Sequence, residues 1–234
     1  FESQQAADIN NEIFKTIREQ ADQETLKLGA ERGAAPDLTS SQRRNAHLLA
    51  IAPNANSSLI GGTSPSIEPW KANAFTSRTR AGSHLTKNKY LLEELVSLGK
   101  DTPEVWSSII TGGGSVQHLA FLSDHLKDVF KTAIELDQDI IVKQAGDRQK
   151  YLCQGQSLNI FFPSGATKAY LHKVHYNAWL YGTKGLYYLR TETSNKAENV
   201  STKVARDRLA EFSDVVLQGA VGDNTQDDCV ACQG

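Results

Sequence analysis

The chain contains no methionine, so it does not carry its own translation start; we expect an excerpt, a processed product or one part of a split protein. Cysteine is almost as scarce. Cys153 stands alone and Cys229 and Cys232 form a C-x-x-C, an odd count that excludes a closed disulfide framework. No secretory signal is visible in "FESQQAADINNEIFK", so the expectation is a reducing, cytoplasmic setting. Long apolar runs are missing too: nothing approaches the roughly 20 residues that a membrane span needs. Neither sign of charge is in excess. A net charge of -2 over 234 residues gives no global argument for nucleic acid or an anionic membrane as partner. What is there, 39% hydrophobic and 22% charged residues, suits a soluble globular protein, and 234 residues are enough for one large domain or one and a half small ones.

Periodicity predicts a helix over residues 5–32, with Ile9, Ile13, Phe14 and Ile17 as its apolar stripe and Gly33 as its stop. "AHLLAIAP", Ala46 to Pro53, is a short apolar run that predicts a strand buried on both faces. "NAFTSRTRAGSHL" predicts extended structure turning at Gly82, and "NKYLLEELVSLGK" a helix ending at Gly99. "TPEVWSSIITGGG" predicts a helix capped by Thr102, with Pro103 at its first position. Residues 119–149 predict two helices broken near Asp137. The strand "SLNIFF", the helix "SGATKAYLHKVHYNAWLYGTKG" and the strand "LYYLRT" then follow in the order of a parallel crossover. Ser164 is the expected cap of that helix, and Leu171, Val174, Ala178 and Trp179 its stripe. From Ser194 the pattern fades, and "QGAVGDNTQDDCVACQG" reads as a disordered tail.

Four features could carry chemistry. "PNANSS", Pro53 to Ser58, places small polar residues between an apolar run and a helical turn. Unpaired backbone N–H groups at a helix start can hold a phosphate there, and the same residues also suit a plain capped turn. "TGGGSVQ" lacks the G-K-[ST] of a phosphate loop and reads as a connection. The terminal C-x-x-C has no strand before it and supplies only two of a zinc site's four ligands. His172 and His175 sit on a distant helix and read as surface and core residues, so no metal site is expected. What remains is a dithiol on an arm, beside Asp227 and Asp228, which would raise its thiol pKa. The fourth is the pair Tyr187–Tyr188. Adjacent residues of a strand point to opposite faces, so two stacked rings would demand a strand end or a distortion, and a strand tyrosine needs no special role.

Taken in order, "APNANSSLIGGTSPSIEP", "CQGQSLNIFF", "GLYYLRT" and "CVACQG" resemble the C-terminal part of the large (α) subunit of class I ribonucleotide reductase. The resemblance runs from about Arg43 to Ser194 and includes the tail. It implies an α/β fold: residues 1–193 would form the second half of a ten-stranded α/β barrel, and 194–234 a linker and redox tail. It implies that Asn54, Ala55, Asn56, Ser57 and Ser58 hold the substrate diphosphate. Tyr187 and Tyr188 would relay a radical, and Cys229 and Cys232 would re-reduce an active-site disulfide before being recharged by thioredoxin or glutaredoxin. The family's radical-forming cysteine, redox pair and ATP/dATP regulatory region belong upstream of the matched segment and are absent here. Cys153 has no catalytic counterpart and reads as a buried structural thiol.

The implied partners are therefore a ribonucleoside diphosphate, the missing N-terminal part of the subunit and a small (β) subunit bearing a di-iron or similar radical cofactor. This chain is expected to bind no cofactor itself and to be inactive alone. A half-barrel would leave open strand edges, so the isolated chain is also expected to aggregate. Two other readings fit the residues without the resemblance. One is a non-catalytic phosphate- or nucleotide-binding module with a redox-active dithiol. The other is an interaction protein whose tail docks a partner.

Overall fold

The computed structural model describes residues 1–38, 40–79 and 82–191. Helix α1 (Gln4–Arg32) starts at Ser3, whose Oγ accepts from the Ala6 N–H at 3.1 Å, and stops at Gly33, where φ is +83°. Its packed face is not the predicted stripe. Phe14 is buried, but Ile9, Ile13 and Ile17 are 43–49% exposed. The helix is seated instead by Phe14 and by polar or small residues. Asn10 Nδ2 donates to the Gln144 carbonyl at 3.1 Å. Gly29 lies so close to the following loop that a Cβ there would sit 1.9 Å from the Gln42 carbonyl oxygen. Periodicity identifies an apolar face; it does not say which neighbour covers it.

The run Ala46–Pro53 departs further from expectation. It is extended, but no ladder forms and none of its residues is buried. Ile51 makes one isolated parallel bridge with Gln156, flanked by Gln154 N–H to Leu49 O at 3.1 Å and Ser157 N–H to Ile51 O at 2.8 Å. Among the described residues this is the only bridge it makes. Helix α2 (Ala55–Gly61) follows. Strands β1 (Ala74–Thr79) and β2 (Gly82–Lys87) then form an antiparallel hairpin in the register Ala74↔Lys87.

Helices α3 (Lys89–Ser97), α4 (Pro103–Thr111) and α5 (Asp124–Val129) close the first core around Leu91, Leu95, Trp106, Ile109, Val116 and Phe130. Thr102 caps α4 and Gly99 (φ +63°) follows α3, as the sequence predicts. The "TGGG" segment serves this core. A Cβ on Gly114 would fall 2.2 Å from that of Ala72, and the Gly114 carbonyl accepts from the buried Asn73 side chain at 3.0 Å.

The second core joins α6 (Gln138–Gln149), β3 (Ile160–Phe162) and α7 (Lys168–Leu180) through Ile141, Val142, Leu158, Ile160, Phe162, Val174 and Ala178. Asp137 caps α6, which explains the break predicted there; before it α5 is short and a single 3-10 turn covers Ala133–Glu135. Thr167, not Ser164, caps α7, with its hydroxyl accepting from the Tyr170 N–H. Pro163 and the two residues after it form a turn before the helix can begin. Of the predicted α7 stripe, Val174 and Ala178 are buried and Trp179 is 70% exposed. Strand β4 (Leu189–Thr191) pairs parallel with β3 in the register Ile160↔Leu189, so β3–α7–β4 is the predicted crossover. The expected domain boundary at 193/194, the tail and Cys229 and Cys232 lie outside the described residues.

Candidate functional site

Asn54 opens α2 in the left-handed region (φ 53°, ψ 29°), a conformation that asparagine tolerates better than most residues, and its side chain makes no capping bond. The turn is braced by a second residue of the same kind. Ser66 (φ 54°) donates its hydroxyl towards the carbonyls of Ala52 at 3.1 Å and Pro53 at 3.2 Å. The N–H groups of Ala55, Asn56 and Ser57 lie in the first helical turn, where no intrahelical acceptor exists. Asn54, Asn56 and Ser57 are exposed and Ala55 half-buried. Ser58 differs: it is buried, and its hydroxyl turns back to the Ala55 carbonyl at 2.9 Å.

Tyr187 and Tyr188 stand immediately before β4. Their ring centroids are 4.1 Å apart with planes at 49°, and the side chains are 49% and 46% exposed. In a regular parallel ladder with Ile160 opposite Leu189, the Leu158 carbonyl would accept from Tyr188. It accepts instead from the Tyr187 N–H at 2.8 Å, while Ile160 N–H still donates to the Tyr188 carbonyl at 3.0 Å. One extra residue is thus accommodated on the β4 side, as in a bulge. That irregularity removes the alternation that would send neighbouring side chains to opposite faces.

The Tyr188 N–H displaced by the bulge finds the Asn159 side-chain oxygen at 3.3 Å. Asn159 is held in turn by Glu68. One carboxylate oxygen accepts from the Asn159 N–H at 2.7 Å and from its Nδ2 at 3.1 Å, and the other accepts from Nδ2 at 3.1 Å. Glu68 is only 3% exposed. Burial pushes its carboxyl above the ordinary range, against the bonds from Asn159 and the charges of Lys71 and Arg190. The Arg190 guanidinium carbon lies 5.2 Å from the Tyr188 ring centroid. Arg148, 1% exposed, donates to Gln156 Oε1 at 2.7 Å, and burial brings its pKa down to about 10.

Cys153 is half-buried rather than buried. Burial alone would raise its pKa, but the sulfur accepts from the N–H groups of Leu49 at 3.0 Å and Leu48 at 2.9 Å, and these hold the thiol below its ordinary value. It fastens the extended Leu48–Ile51 segment to the turn after α6. His172 and His175 are both exposed. No group of three or more His, Cys, Asp or Glu side chains that could hold a metal ion occurs among the described residues. No helix there is long and apolar enough to cross a membrane. Glu68, Asn159 and Ser66 were not singled out by sequence. A signal existed for two of them: Asn159 interrupts the apolar run "SLNIFF", and Glu68 is the sole charge in "LIGGTSPSIEPW".

A parallel strand–helix–strand unit backed by a further helix makes the chain an α/β protein. Residues 38–189 match the family model for the ribonucleotide reductase barrel domain, and the chain belongs to that family, with its α/β barrel fold. A protein of frog virus 3 (isolate Goorha), provisionally named as a ribonucleoside-diphosphate reductase large subunit, is 49% identical over 100% of this chain and 39% of its own length. The ribonucleoside-diphosphate reductase large subunit of invertebrate iridescent virus 3 is 42% identical over 97% of the chain and 34% of its own. The solved class Id ribonucleotide reductase alpha subunit of Actinobacillus ureae superposes with a TM-score of 0.75 at 39% identity. It covers 82% of this chain and 35% of the alpha subunit. The chain thus spans less than two-fifths of the length of each of these relatives.

Proposed function

We propose that this chain is the C-terminal part of a ribonucleoside-diphosphate reductase large subunit, acting in the cytoplasm to convert ribonucleoside diphosphates to deoxyribonucleoside diphosphates by radical chemistry. Residues 1–193 supply the second half of the ten-stranded barrel, and 194–234 the linker and redox tail. The single observation that carries the reading is the close, tilted contact of two adjacent, half-exposed tyrosine rings with centroids 4.1 Å apart, at a strand end in a reductase-family barrel. Radical passage from one ring to the next returns an electron and a proton to the first phenol and removes them from the second. Rings in contact shorten that step, and half-exposure leaves the pair reachable from another chain.

In this reading a radical-bearing small subunit, with a di-iron or similar cofactor, feeds Tyr187 and Tyr188. The upstream part of the large subunit supplies the cysteine that receives the radical. The first-turn N–H groups of α2, with Asn54, Ala55, Asn56, Ser57 and Ser58, receive the substrate's diphosphate; Ser58, whose N–H donates to the Asn54 carbonyl and whose hydroxyl donates to that of Ala55, serves by holding the turn in shape. Cys229 and Cys232 become a disulfide as they hand two electrons and two protons to the active-site disulfide, and thioredoxin or glutaredoxin restores them. The test is turnover of the complete reductase, large and small subunits together. Tyr187→Phe and Tyr188→Phe each abolish deoxyribonucleotide formation while leaving the melting temperature within about 2 °C, since a half-exposed ring loses only one oxygen. Full turnover in either variant refutes the relay.

A further inference from the structure

The tyrosine pair poses a problem that the relay reading leaves open. A strand alternates its side chains, so something must hold two neighbours out of alternation. Three observations meet at one place. The ladder slips by one residue at Tyr187, whose N–H takes the Leu158 carbonyl. The N–H of Tyr188, deprived of that acceptor, is taken by the Asn159 side-chain oxygen rather than by any backbone carbonyl. Asn159 is in turn held by three hydrogen bonds, two from its side-chain amide and one from its backbone N–H, to one buried carboxylate, that of Glu68, 91 residues away in sequence.

A buried carboxylate spent wholly on fixing one amide is a costly arrangement, and an uncharged core residue would pack there more cheaply. Without Asn159, the displaced N–H would lose its acceptor unless the ladder reverted to the regular register, which returns the rings to opposite faces. Without Glu68, the Asn159 amide would be free to turn. We propose that Glu68 and Asn159 are positioning residues for radical transfer: the carboxylate–amide clamp holds the one-residue bulge that keeps the Tyr187 ring in contact with that of Tyr188. Neither residue is oxidised or touches substrate. Arg190 belongs to the same assembly, set over the Tyr188 ring and within electrostatic reach of Glu68.

The proposal rests on the relay reading, and its test separates the two. Asn159→Ala, Glu68→Ala and Glu68→Gln are made in the complete large subunit and assayed with the small subunit, beside Tyr187→Phe. Glutamine can keep the two bonds made through the shared oxygen, so Glu68→Gln retains more than a third of wild-type kcat. Asn159→Ala and Glu68→Ala lose at least tenfold in kcat with KM for the nucleoside diphosphate within twofold. A merely structural defect would instead raise KM or leave Glu68→Gln as impaired as Glu68→Ala, and either result overturns the clamp. So does a kcat within twofold of wild type in Asn159→Ala or Glu68→Ala. Where that happens and Tyr187→Phe is dead, the clamp fails and the relay stands; a fully active Tyr187→Phe refutes the relay itself. Crystal structures of Asn159→Ala and Glu68→Gln subunits read the geometry without any assay. The rings separate in the first and remain in contact in the second, and rings still in contact in Asn159→Ala refute the clamp.

Discussion

Tyr170→Phe removes one oxygen atom and two hydrogen bonds from the joint that holds the crossover helix. The phenol donates to Asp137 Oδ1 at 2.8 Å and accepts from the Gln138 N–H at 2.9 Å, tying α7 to the cap of α6. Its ring meets Phe162 edge to face at 5.3 Å, and phenylalanine keeps that contact. A bond to a charged acceptor contributes about 1.5–3 kcal/mol and one to a neutral partner about 0.5–1.5. The site is only partly buried, so water replaces some of both, and the expected loss is about 1–2 kcal/mol. For a chain of this size that lowers the melting temperature by roughly 2–8 °C.

The pH dependence has a defined sign. Burial and the bond to Asp137 push the Tyr170 pKa up to about 12. The folded state therefore favours the protonated phenol, and its contribution is complete below the unfolded value near 10 and lost as pH rises towards 12. Urea unfolding followed by tryptophan fluorescence should give a constant gap between wild type and Tyr170→Phe from pH 7 to 9, closing above pH 10. No measurable loss at pH 7.5, or a gap that widens above pH 10, refutes the account.

Glu68→Gln bears on the buried carboxylate in the same way. Its pKa is raised by burial, so the ionised form costs stability that appears as pH climbs through the folded value and is absent below the unfolded value. Glu68→Gln should melt above wild type at pH 7 to 8, with the advantage shrinking as pH falls towards the ordinary carboxylate value and gone below about pH 4.5; an advantage that does not depend on pH removes Glu68 as its source. The positive charges of Lys71 and Arg190 oppose that rise without cancelling it. In the complete reductase, Cys229→Ser should block turnover driven by thioredoxin yet permit turnover with a small dithiol, and equal loss with both reductants would rule out the shuttle.

Local rules carried much of the architecture. Capping residues, Pro103 and the glycines after α3 and α7 mark element ends through their own backbone preferences, and the crossover could be read from its order alone. Burial was less legible. The isoleucines of α1 and Trp179 of α7 follow helical periods yet remain exposed, and Ala46–Pro53 is apolar without joining a ladder, because burial depends on neighbours that a local pattern does not contain. The tyrosine pair and the α2 turn were visible as motifs. Their supports were not. Glu68 reaches Asn159 across 91 residues, and Ser66 closes on Pro53 through a conformation its type rarely adopts. An asparagine inside an apolar strand was the available clue, since a buried amide must find partners somewhere.

The one-residue slip at Tyr187 has a consequence for what the connection after α7 can tolerate. Between the end of α7 at Leu180 and the ladder at Leu189 the bonds that define the slip come from backbone groups and from Asn159, not from the side chains of the connection itself. Its length is another matter. Deleting one residue there takes up the slack that forms the bulge and lets the two phenols fall on opposite sides of the sheet; adding one offers the ladder a second place to slip. The segment is thus constrained by arithmetic more than by spelling, and a relative whose connection differs by one residue would need another way to bring its aromatic rings together.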